Sequence, residues 1–416
     1  MNRMVNGLRP FGLFLTAAAL ILGLSMGIRQ ALGLFIPDMT AATGIGMATC
    51  SAAFAVQNLL WGFVSPLGGM LADRVGTGLT LALGTSLYAF GLGLMAFTQT
   101  AGGLHISGGL LIGFGVGLTS FPIVLGAVGR MVPEASRSLA LGIVSTGGSL
   151  GQFLLAPISG GFIAALGWSG ALLALAALAI LMAPAGFALA AQRTAGDSSQ
   201  SQNPSPSEVP DAPTLGAAVR SASTSSSFWL LVAGCFVCGF HVSFIAVHLP
   251  TFVSLCGLTP QVGVAALTLI GLFNVFGGLL AGYLGGVLQK KYVLSGIYLA
   301  RTAAILIFFA LPKTAPVVLG FSAVIGLLWL STVPLTSGLV ASLFGTRYMA
   351  TLYGFVMVGH QVGAFAGVWL GGAFFAKTGT YDAMWLISAG LGVFAAILHL
   401  PVAEKRHGAL GAPVRP

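Results

Sequence analysis

Two arginines are the residues of this chain best placed to do chemistry, because they lie deep inside apolar sequence. Of the 17 Lys and Arg residues, only Arg29 and Arg301 fall in the interior of hydrophobic segments, and no Asp or Glu accompanies them there. A guanidinium stays protonated at physiological pH, and its planar fork matches a carboxylate through two hydrogen bonds. The two side chains indicate a binding site for an anion inside a membrane, from which a cationic compound would be repelled.

The composition indicates the class of protein that holds these arginines. Apolar residues make up 56% of the chain and charged residues only 6%, which excludes a soluble globular protein. A bilayer core about 30 Å thick requires about 20 apolar residues per helix. The sequence predicts an all-α membrane protein with twelve transmembrane helices, at residues 11–36, 47–70, 79–100, 104–129, 138–165, 169–191, 228–252, 261–287, 292–312, 315–341, 350–375 and 383–403.

The other basic residues indicate how these helices are oriented. Short cytoplasmic loops carry an excess of Lys and Arg. With both termini in the cytoplasm, thirteen of the 17 basic residues fall on that side, and only Lys313 and Lys377 fall outside. They are scattered loop anchors, so the net charge of +9 does not indicate nucleic-acid binding. The first apolar run is too long for a secretory signal, and we expect it to be helix 1 of the protein.

A polar stretch divides the chain into two similar parts. Residues 192–227 are rich in Ser and Pro and predict a disordered cytoplasmic linker between a half at 1–191 and a half at 228–416, which ends in a short basic tail. The segment GGMLADRVG at 68–76 matches GGLLAGYLGG at 277–286 at a shift of 209. At a shift of 212, three further glycines recur: Gly142, Gly147 and Gly151 against Gly354, Gly359 and Gly363. The similar shifts indicate duplication.

Two parallel six-helix repeats resemble the halves of the major facilitator superfamily. Residues 69–76 resemble the family signature between helices 2 and 3, although Thr77 and Gly78 replace its usual basic pair. The segment GRMVPEASRSLALG at 129–142 resembles the loop pattern between helices 4 and 5. The resemblance implies two pseudo-symmetric six-helix halves, the major facilitator fold.

The same resemblance implies a gate latch at the cytoplasmic helix ends. Its residues would be Asp73, Arg74, Arg130 and Arg137. Asp73 could cap a neighbouring helix N-terminus or pair with one of the last two arginines. Gly282 stands in place of the acid in the second half, which is therefore expected to lack a latch.

Within the superfamily, helix 1 resembles monocarboxylate transporters and their bacterial oxalate/formate-antiporter relatives. Its sequence SMGIRQALGLFIPDM places Arg29 at their helix-1 lysine, and helix 7, CGFHVSFIAVHLP, and helix 11, LYGFVMVGHQVGAF, extend the resemblance over most of the chain. The helix-8 arginine of these transporters is missing, because its motif aligns with Asn274 and Gly278. Arg301 of helix 9 could replace that charge by reaching past Gly278.

These observations predict a site for a small organic carboxylate. Arg29 and Arg301 would hold the anion, with snorkelling or helix packing as the alternatives. Neutral hydrogen bonds would come from four further residues: Asn274, Tyr298, Gln30 and Tyr353. Because the core has no carboxylate, the proton of a coupled cycle would be taken by His241 or His360, for which packing is the alternative.

The expected function is secondary active transport of small organic anions, monocarboxylates above all, by proton symport and alternating access. A carboxylate antiporter and an efflux pump for neutral or anionic compounds are the alternatives. We expect no enzyme activity, metal or cofactor, and the thiols of Cys235 and Cys238 are interpreted as packing residues. The expected partners are the substrate, the proton and the lipid bilayer. We expect a monomer in a bacterial inner membrane.

Overall fold

Helices of membrane-spanning length make up almost all of this chain. The computed structural model describes residues 8–45, 47–190, 212 and 214–404, whose regular elements are all helices. Ten stretches are long and apolar enough to cross a membrane, and one of them, Glu134–Ala190, holds two helices because Gly167 (φ 70°, ψ 171°) is not helical. Met47–Arg74 adds a helix of 28 residues, about 42 Å long. The twelve helices of membrane-spanning length among the described residues confirm the predicted fold class.

We number these helices in chain order. They are α1 Gly12–Phe35, α2 Met47–Arg74, α3 Thr77–Met95, α4 Ala101–Met131, α5 at 134–166, α6 at 168–190, α7 Ser226–Leu255, α8 Pro260–Val287, α9 Lys290–Ala310, α10 Ala315–Phe344, α11 Met349–Thr378 and α12 Asp382–His399.

Part of the predicted linker is helical, and most of its remainder, like the basic tail, lies outside the described residues. The linker helix, Leu215–Thr224, begins where the Thr214 side chain accepts a hydrogen bond from the Ala217 N–H. Ala218 and Ala222 lie one turn apart on it and are both buried. The expectation of disorder is wrong for this segment, because its small apolar residues share one face that packs.

The two halves repeat the same internal packing. α1 packs along α5, and α7 packs along α11. The Tyr88 hydroxyl of α3 donates a hydrogen bond to the carbonyl of Ser25 in α1 at 3.0 Å. In the second half the Tyr298 hydroxyl of α9 donates to the carbonyl of Gly234 in α7 at 2.7 Å. The two tyrosines are 210 positions apart and their acceptors 209, so these ties follow the repeat found in the sequence.

Helices α4 and α10 are each broken near the middle. Ser120 interrupts α4 with extended backbone angles, and residues 329–331 interrupt α10. Pro122 and Pro334 follow the two breaks at a shift of 212, and proline cannot supply the N–H that would continue a helix. Backbone groups freed at a break inside the membrane must find partners within the protein, since lipid offers none.

The halves meet where α2 packs on α11 and α5 packs on α8. At one end of the bundle, Asp73 of α2 accepts hydrogen bonds from Thr351 of α11. At the pseudo-equivalent place, a Cβ on Gly142 of α5 would lie 2.7 Å from the Cα of Gly282 in α8. We call this end of the bundle the latch end. Among the described residues, α1 and α7 share no extended contact, so the halves are joined towards the latch end.

Gly151→Ala is expected to destabilise the N-terminal half. A Cβ on Gly151 of α5 would overlap the main chain of Gly23 in α1, and overpacking of this kind costs about 1–3 kcal/mol. The matched control is Gly160→Ala on the same helix, where a Cβ would meet nothing within 4 Å. The thermal unfolding midpoint in detergent should fall for Gly151→Ala alone. An equal fall in both variants would contradict the close approach of α1 and α5.

Candidate functional site

Arg29 lies in the N-terminal half with most of its hydrogen-bonding capacity unused. Its Nη1 donates to the Asn58 Oδ1 of α2 at 2.8 Å, and its guanidinium carbon lies 4.8 Å from the centre of the Trp61 ring. The Nε atom is buried without a partner, and the residue as a whole is partly exposed. One of the five N–H groups of this guanidinium is therefore satisfied by the described protein.

The sequence around Arg29 explains why its side chain reaches α2. Gly23 and Gly27 allow α1 to approach the backbone of α5 very closely. Arg29 follows Gly27 by two residues, which is about 200° around a helix. The glycine face therefore packs on α5, while the arginine is directed to the opposite side, where Asn58 and Trp61 follow one another at a spacing of three residues on α2.

This arginine lies close to the seam between the halves. Gly62, the residue after Trp61, packs on Gln361 of α11, where an added Cβ would lie 2.7 Å from the Gln361 Cβ. Gln361 is 2% exposed, and its Nε2 has no hydrogen-bond partner. Neighbouring residues of α2 thus contact Arg29 and Gln361, Trp61 the first and Gly62 the second.

Arg301, by contrast, is satisfied by the protein. It is 2% exposed and lies against the Tyr298 ring. Its Nε and Nη2 donate to the Leu328 carbonyl at 3.1 and 2.6 Å, Nη2 also donates to the Trp329 carbonyl, and Nη1 donates to the Cys238 thiol at 3.5 Å. Four of the five N–H groups are used. Arg301 caps the broken end of α10, where the helix dipole favours a positive charge.

Asn274 supports the same break in α10. Its Oδ1 accepts a hydrogen bond from the Leu330 N–H at 3.0 Å, and the residue is fully buried on α8. The structure thus brings Asn274 and Arg301 together, but around backbone groups of α10. Arg29 lies in the other half and bonds to Asn58 of α2, so the two arginines have separate protein partners.

The three other residues that were expected to hydrogen-bond the ligand differ in their burial and contacts. Tyr298 is 1% exposed, and its hydroxyl is committed to Gly234, as Tyr88 is to Ser25 in the first half. Tyr353 of α11 is equally buried. Gln30 lies on the exposed surface of α1. The hydrogen bond of Tyr298 to Gly234 repeats that of Tyr88 to Ser25, which indicates a packing role for the Tyr298 hydroxyl.

The two candidate proton carriers lie in the C-terminal half. His241 of α7 donates from Nε2 to the Ser388 carbonyl of α12 at 2.7 Å, because a carbonyl can only accept. The side chain of Arg301 lies near this ring. His360 of α11 is buried beside the Cys238 thiol and precedes Gln361 at the seam. In both histidines Nδ1 is buried without a partner.

Asp73 connects three helices at the latch end. Its side chain is fully buried, and its Oδ1 accepts from the Arg130 Nη1 of α4 at 2.7 Å. Its Oδ2 accepts from the Thr351 N–H at 3.1 Å and from the Thr351 hydroxyl at 2.7 Å. Because Thr351 lies in the first turn of α11, the carboxylate both pairs with an arginine and caps a helix of the other half.

The other two expected latch residues lie outside this carboxylate pair. Arg74 is exposed at the end of α2. Arg137 of α5 lies near Lys290 at the start of α9. Arg130 also donates from Nη2 to the Thr77 hydroxyl at 3.1 Å. Thr77, which replaces a basic residue of the family signature, therefore supports the Asp73–Arg130 ion pair.

Sequence reasoning missed Trp61 and Thr351. Trp61 could have been found from its spacing of three residues after Asn58, which places both on one helix face. Thr351 carries no such signal, because its partner is 278 residues away in the chain. Its contact depends on how the two halves pack.

Removing the Arg301 cap should destabilise the fold. Arg301→Gln leaves the carbonyls of the α10 break without a donor, at a cost of about 1–3 kcal/mol for each unpaired group. We expect a lower thermal unfolding midpoint in detergent, with Arg301→Lys in between because it keeps the charge and loses the fork. Arg29→Gln is the matched control and should barely move the midpoint. Equal losses at the two positions would contradict the assignment of Arg301 to the break.

Asp73 and Thr351 should be energetically coupled across the seam. Asp73→Asn weakens three charge-assisted hydrogen bonds, one from Arg130 and two from Thr351, each of about 1.5–3 kcal/mol. Thr351→Val removes only the hydroxyl. In a double-mutant cycle of thermal stability we expect an interaction above about 0.5 kcal/mol. The cycle of Thr351→Val with Arg29→Gln should be additive. Additivity in both cycles would contradict the latch contact.

Comparison with known proteins agrees with this geometry. The profile of the Major Facilitator Superfamily matches residues 15–368. Monocarboxylate transporter 11 of Homo sapiens is 28% identical over 387 residues, which cover 90% of this chain and 79% of that protein. Monocarboxylate transporter 13 of Bos taurus is 24% identical over 384 residues, which cover 90% and 86%.

Solved structures show the same fold. A variant of the E. coli fucose:proton symporter FucP superposes with a TM-score of 0.69 at 15% identity, over 96% of this chain and 100% of that chain. A structure of FucP in the outward conformation gives a TM-score of 0.71 at the same identity and coverage. The chain belongs to the major facilitator superfamily of membrane transporters, and its homologues include monocarboxylate transporters.

Proposed function

We propose that this transporter carries small organic carboxylates and that Arg29 binds the carboxylate group. The observation that carries the proposal is the unmet hydrogen-bonding capacity of Arg29: one N–H group bonds to Asn58, while Nε is buried without a partner. No ion pair joins Arg29 to an Asp or Glu among the described residues. A charge in the membrane interior costs from a few to more than ten kcal/mol unless it is compensated, so an anionic ligand is the natural partner.

The surroundings of Arg29 favour a carboxylate of small size. The guanidinium fork can make two parallel hydrogen bonds to a carboxylate, and the Asn58 and Trp61 contacts hold the fork in one orientation. Gln361 offers an additional amide donor from across the seam. The names of the homologous monocarboxylate transporters agree with a ligand of this class.

Alternating access follows from how the halves meet. The basic residues near the latch end, such as Arg130, Arg137 and Lys290, support a cytoplasmic position for that end, with Lys313 and Lys377 at the other end. Both termini are then cytoplasmic, as expected for a bacterial inner-membrane transporter. The Asp73 contacts hold the cytoplasmic side closed, so the site at Arg29 is reached from outside. Anion binding would neutralise Arg29 and favour the rocking of the two halves.

We assign the coupled proton to His360 in preference to His241. His360 directly precedes Gln361 and so lies beside the seam through which Arg29 is approached. The ring of His241 is bonded through Nε2 to the Ser388 carbonyl of α12. In this arrangement the proton and the anion enter from opposite halves, and each reduces the cost of holding the other near the seam.

Uptake into proteoliposomes tests the substrate. Radiolabelled lactate, pyruvate, oxalate and formate are offered with and without an inward proton gradient, and we expect gradient-driven accumulation of at least one acid. Arg29→Gln should lower its uptake by at least about tenfold, as expected for a lost charge-assisted hydrogen bond, with Arg29→Lys in between. Exchange alone would indicate an antiporter. Unchanged uptake by folded Arg29→Gln would remove this residue from the mechanism.

The response of the same uptake to the proton gradient distinguishes the roles of His360 and His241. His360→Asn should abolish acceleration by the proton gradient while leaving exchange of labelled for unlabelled acid. His241→Asn, the matched control on α7, should keep the gradient response. If only His241→Asn loses that response, the proton belongs to His241.

A further inference from the structure

Residues 400–404, which follow α12, pack on the latch end of the C-terminal half. The Ala403 N–H donates a hydrogen bond to the Ser227 hydroxyl at the start of α7, at 2.9 Å. Val402 is fully buried, and its carbonyl accepts from the Lys291 Nζ of α9 at 3.1 Å. We call residues 400–404 the C-terminal strap, because they connect the end of α12 to the starts of α7 and α9.

The last residue of the strap, Glu404, caps α9 with both of its carboxylate oxygens. Oε1 accepts from the Lys290 N–H and Oε2 from the Lys291 N–H, each at 3.0 Å. Oε1 also lies 3.5 Å from the Lys290 Nζ, and both side chains of this ion pair are almost fully buried. The first N–H groups of a helix have no partner within it, and a carboxylate there interacts favourably with the helix dipole. Glu404 therefore fixes the strap to α9 by a cap and an ion pair.

Lys290 lies at the seam between the two halves. It is 4% exposed, and a Cβ on Gly338 of α10 would lie 3.0 Å from its Cε. A Cβ on the same glycine would lie 3.8 Å from the Ser138 Oγ of α5. Ser138 in turn donates to the Gly285 carbonyl of α8 at 3.0 Å. The Lys290 side chain therefore packs beside the contact that joins α5 of one half to α8 of the other.

Charged groups of both halves act on the Lys290 ammonium group. They are Glu404 of the strap, and Glu134 and Arg137 at the start of α5. With Lys290 the set holds two acids and two bases, so it is neutral as a whole. Without the charge of Glu404 the set would keep a net positive charge, and Lys290 and Arg137 would repel each other across the seam. Such repulsion is strong among buried groups, because little water screens it.

The two halves carry complementary charges at equivalent positions. Asp73 near the end of α2 corresponds to Gly282 near the end of α8, at a shift of 209. Thr77, the first residue of α3, corresponds to Lys290, the first residue of α9, at a shift of 213. The N-terminal half therefore has the acid without the base, and the C-terminal half has the base without the acid. Glu404 supplies that acid from the strap.

We propose that the C-terminal strap closes a second latch, in which the charge of Glu404 allows Lys290 and Arg137 to lie together across the seam of α8 and α5. The Asp73 contacts and the strap would then act at the two places where the halves meet, α2 on α11 and α5 on α8. A contact made in one conformation alone shifts the equilibrium towards that conformation. The role of this latch in a transport cycle rests on the alternating access proposed above, whereas the contact itself does not.

The seam is probed by the reactivity of a thiol at position 138 in the purified full-length protein. Ser138 is 8% exposed, so in the Ser138→Cys protein the neutral reagent N-ethylmaleimide should react at this position chiefly when the seam opens. Mass spectrometry of the labelled peptide separates position 138 from the four native cysteines. Adding Glu404→Gln should accelerate this reaction at least about fivefold, the lower end of usual coupling between sites. Asp382→Asn, which removes an acid at the start of α12, is the control and should leave the rate unchanged.

Two further variants separate the charge of Glu404 from the position of the strap. Adding Lys290→Gln to Glu404→Gln makes the set of charges neutral again, so most of the lost protection at position 138 should return. Ser227→Ala removes the hydroxyl that holds Ala403 and changes no charge. It should accelerate labelling less than Glu404→Gln does, and it keeps the test decisive if Glu404→Gln does not fold.

Three results would overturn the second latch. One is an unchanged labelling rate in both Glu404→Gln and Ser227→Ala, and another is an equal acceleration by Asp382→Asn. The third is a double variant, Lys290→Gln with Glu404→Gln, that reacts as fast as Glu404→Gln alone. The labelling requires no substrate, so a failure of carboxylate uptake leaves its result intact.

Discussion

The interior of a membrane offers no water to a charged or polar group, so every guanidinium placed there must be satisfied by protein or by ligand. The two arginines within the hydrophobic segments meet that constraint differently. Arg301 directs four of its N–H groups to the break in α10 and the Cys238 thiol. Within the part of the chain that the structure describes, Arg29 makes a single hydrogen bond, to Asn58. Arg301 thereby stabilises an irregular helix, and Arg29 is the residue that we propose binds an anion.

The internal duplication separates packing features from functional ones. Features kept in both halves are structural: the tyrosine ties of α3 and α9, the breaks in α4 and α10, and the glycine contacts of α5 and α11. Features that differ carry the proposed mechanism. Arg29 corresponds within one residue to His241, and Asp73 corresponds to Gly282. The proposed anion site and the Asp73 carboxylate thus belong to the N-terminal half, and the C-terminal half supplies Thr351 as a partner of Asp73.

The fold could be predicted from the sequence because membrane helices need only length and apolar composition, and the repeat shift was visible in the glycines. That the charge of Arg29 lacks an acidic partner could also be predicted, since no Asp or Glu lies in the hydrophobic segments around it. The contacts of Arg301 with the break in α10 could not be predicted, because the depth of a residue in a hydrophobic segment does not reveal which helix its side chain contacts. Pro334 was the one local sign that a break in α10 needed a cap. Thr351, Trp61 and the linker helix depend on tertiary packing, which no local pattern reports.

The most direct test of the account is a distance measurement between the bound carboxylate and the arginines. The transported acid, labelled with 13C at its carboxyl group, is bound to membrane-reconstituted protein labelled with 15N in arginine side chains, and dipolar coupling is measured by solid-state NMR. The account predicts coupling in the wild type and in Arg301→Lys, and its loss in Arg29→Lys. Coupling that persists in Arg29→Lys and disappears in Arg301→Lys would contradict the central claim.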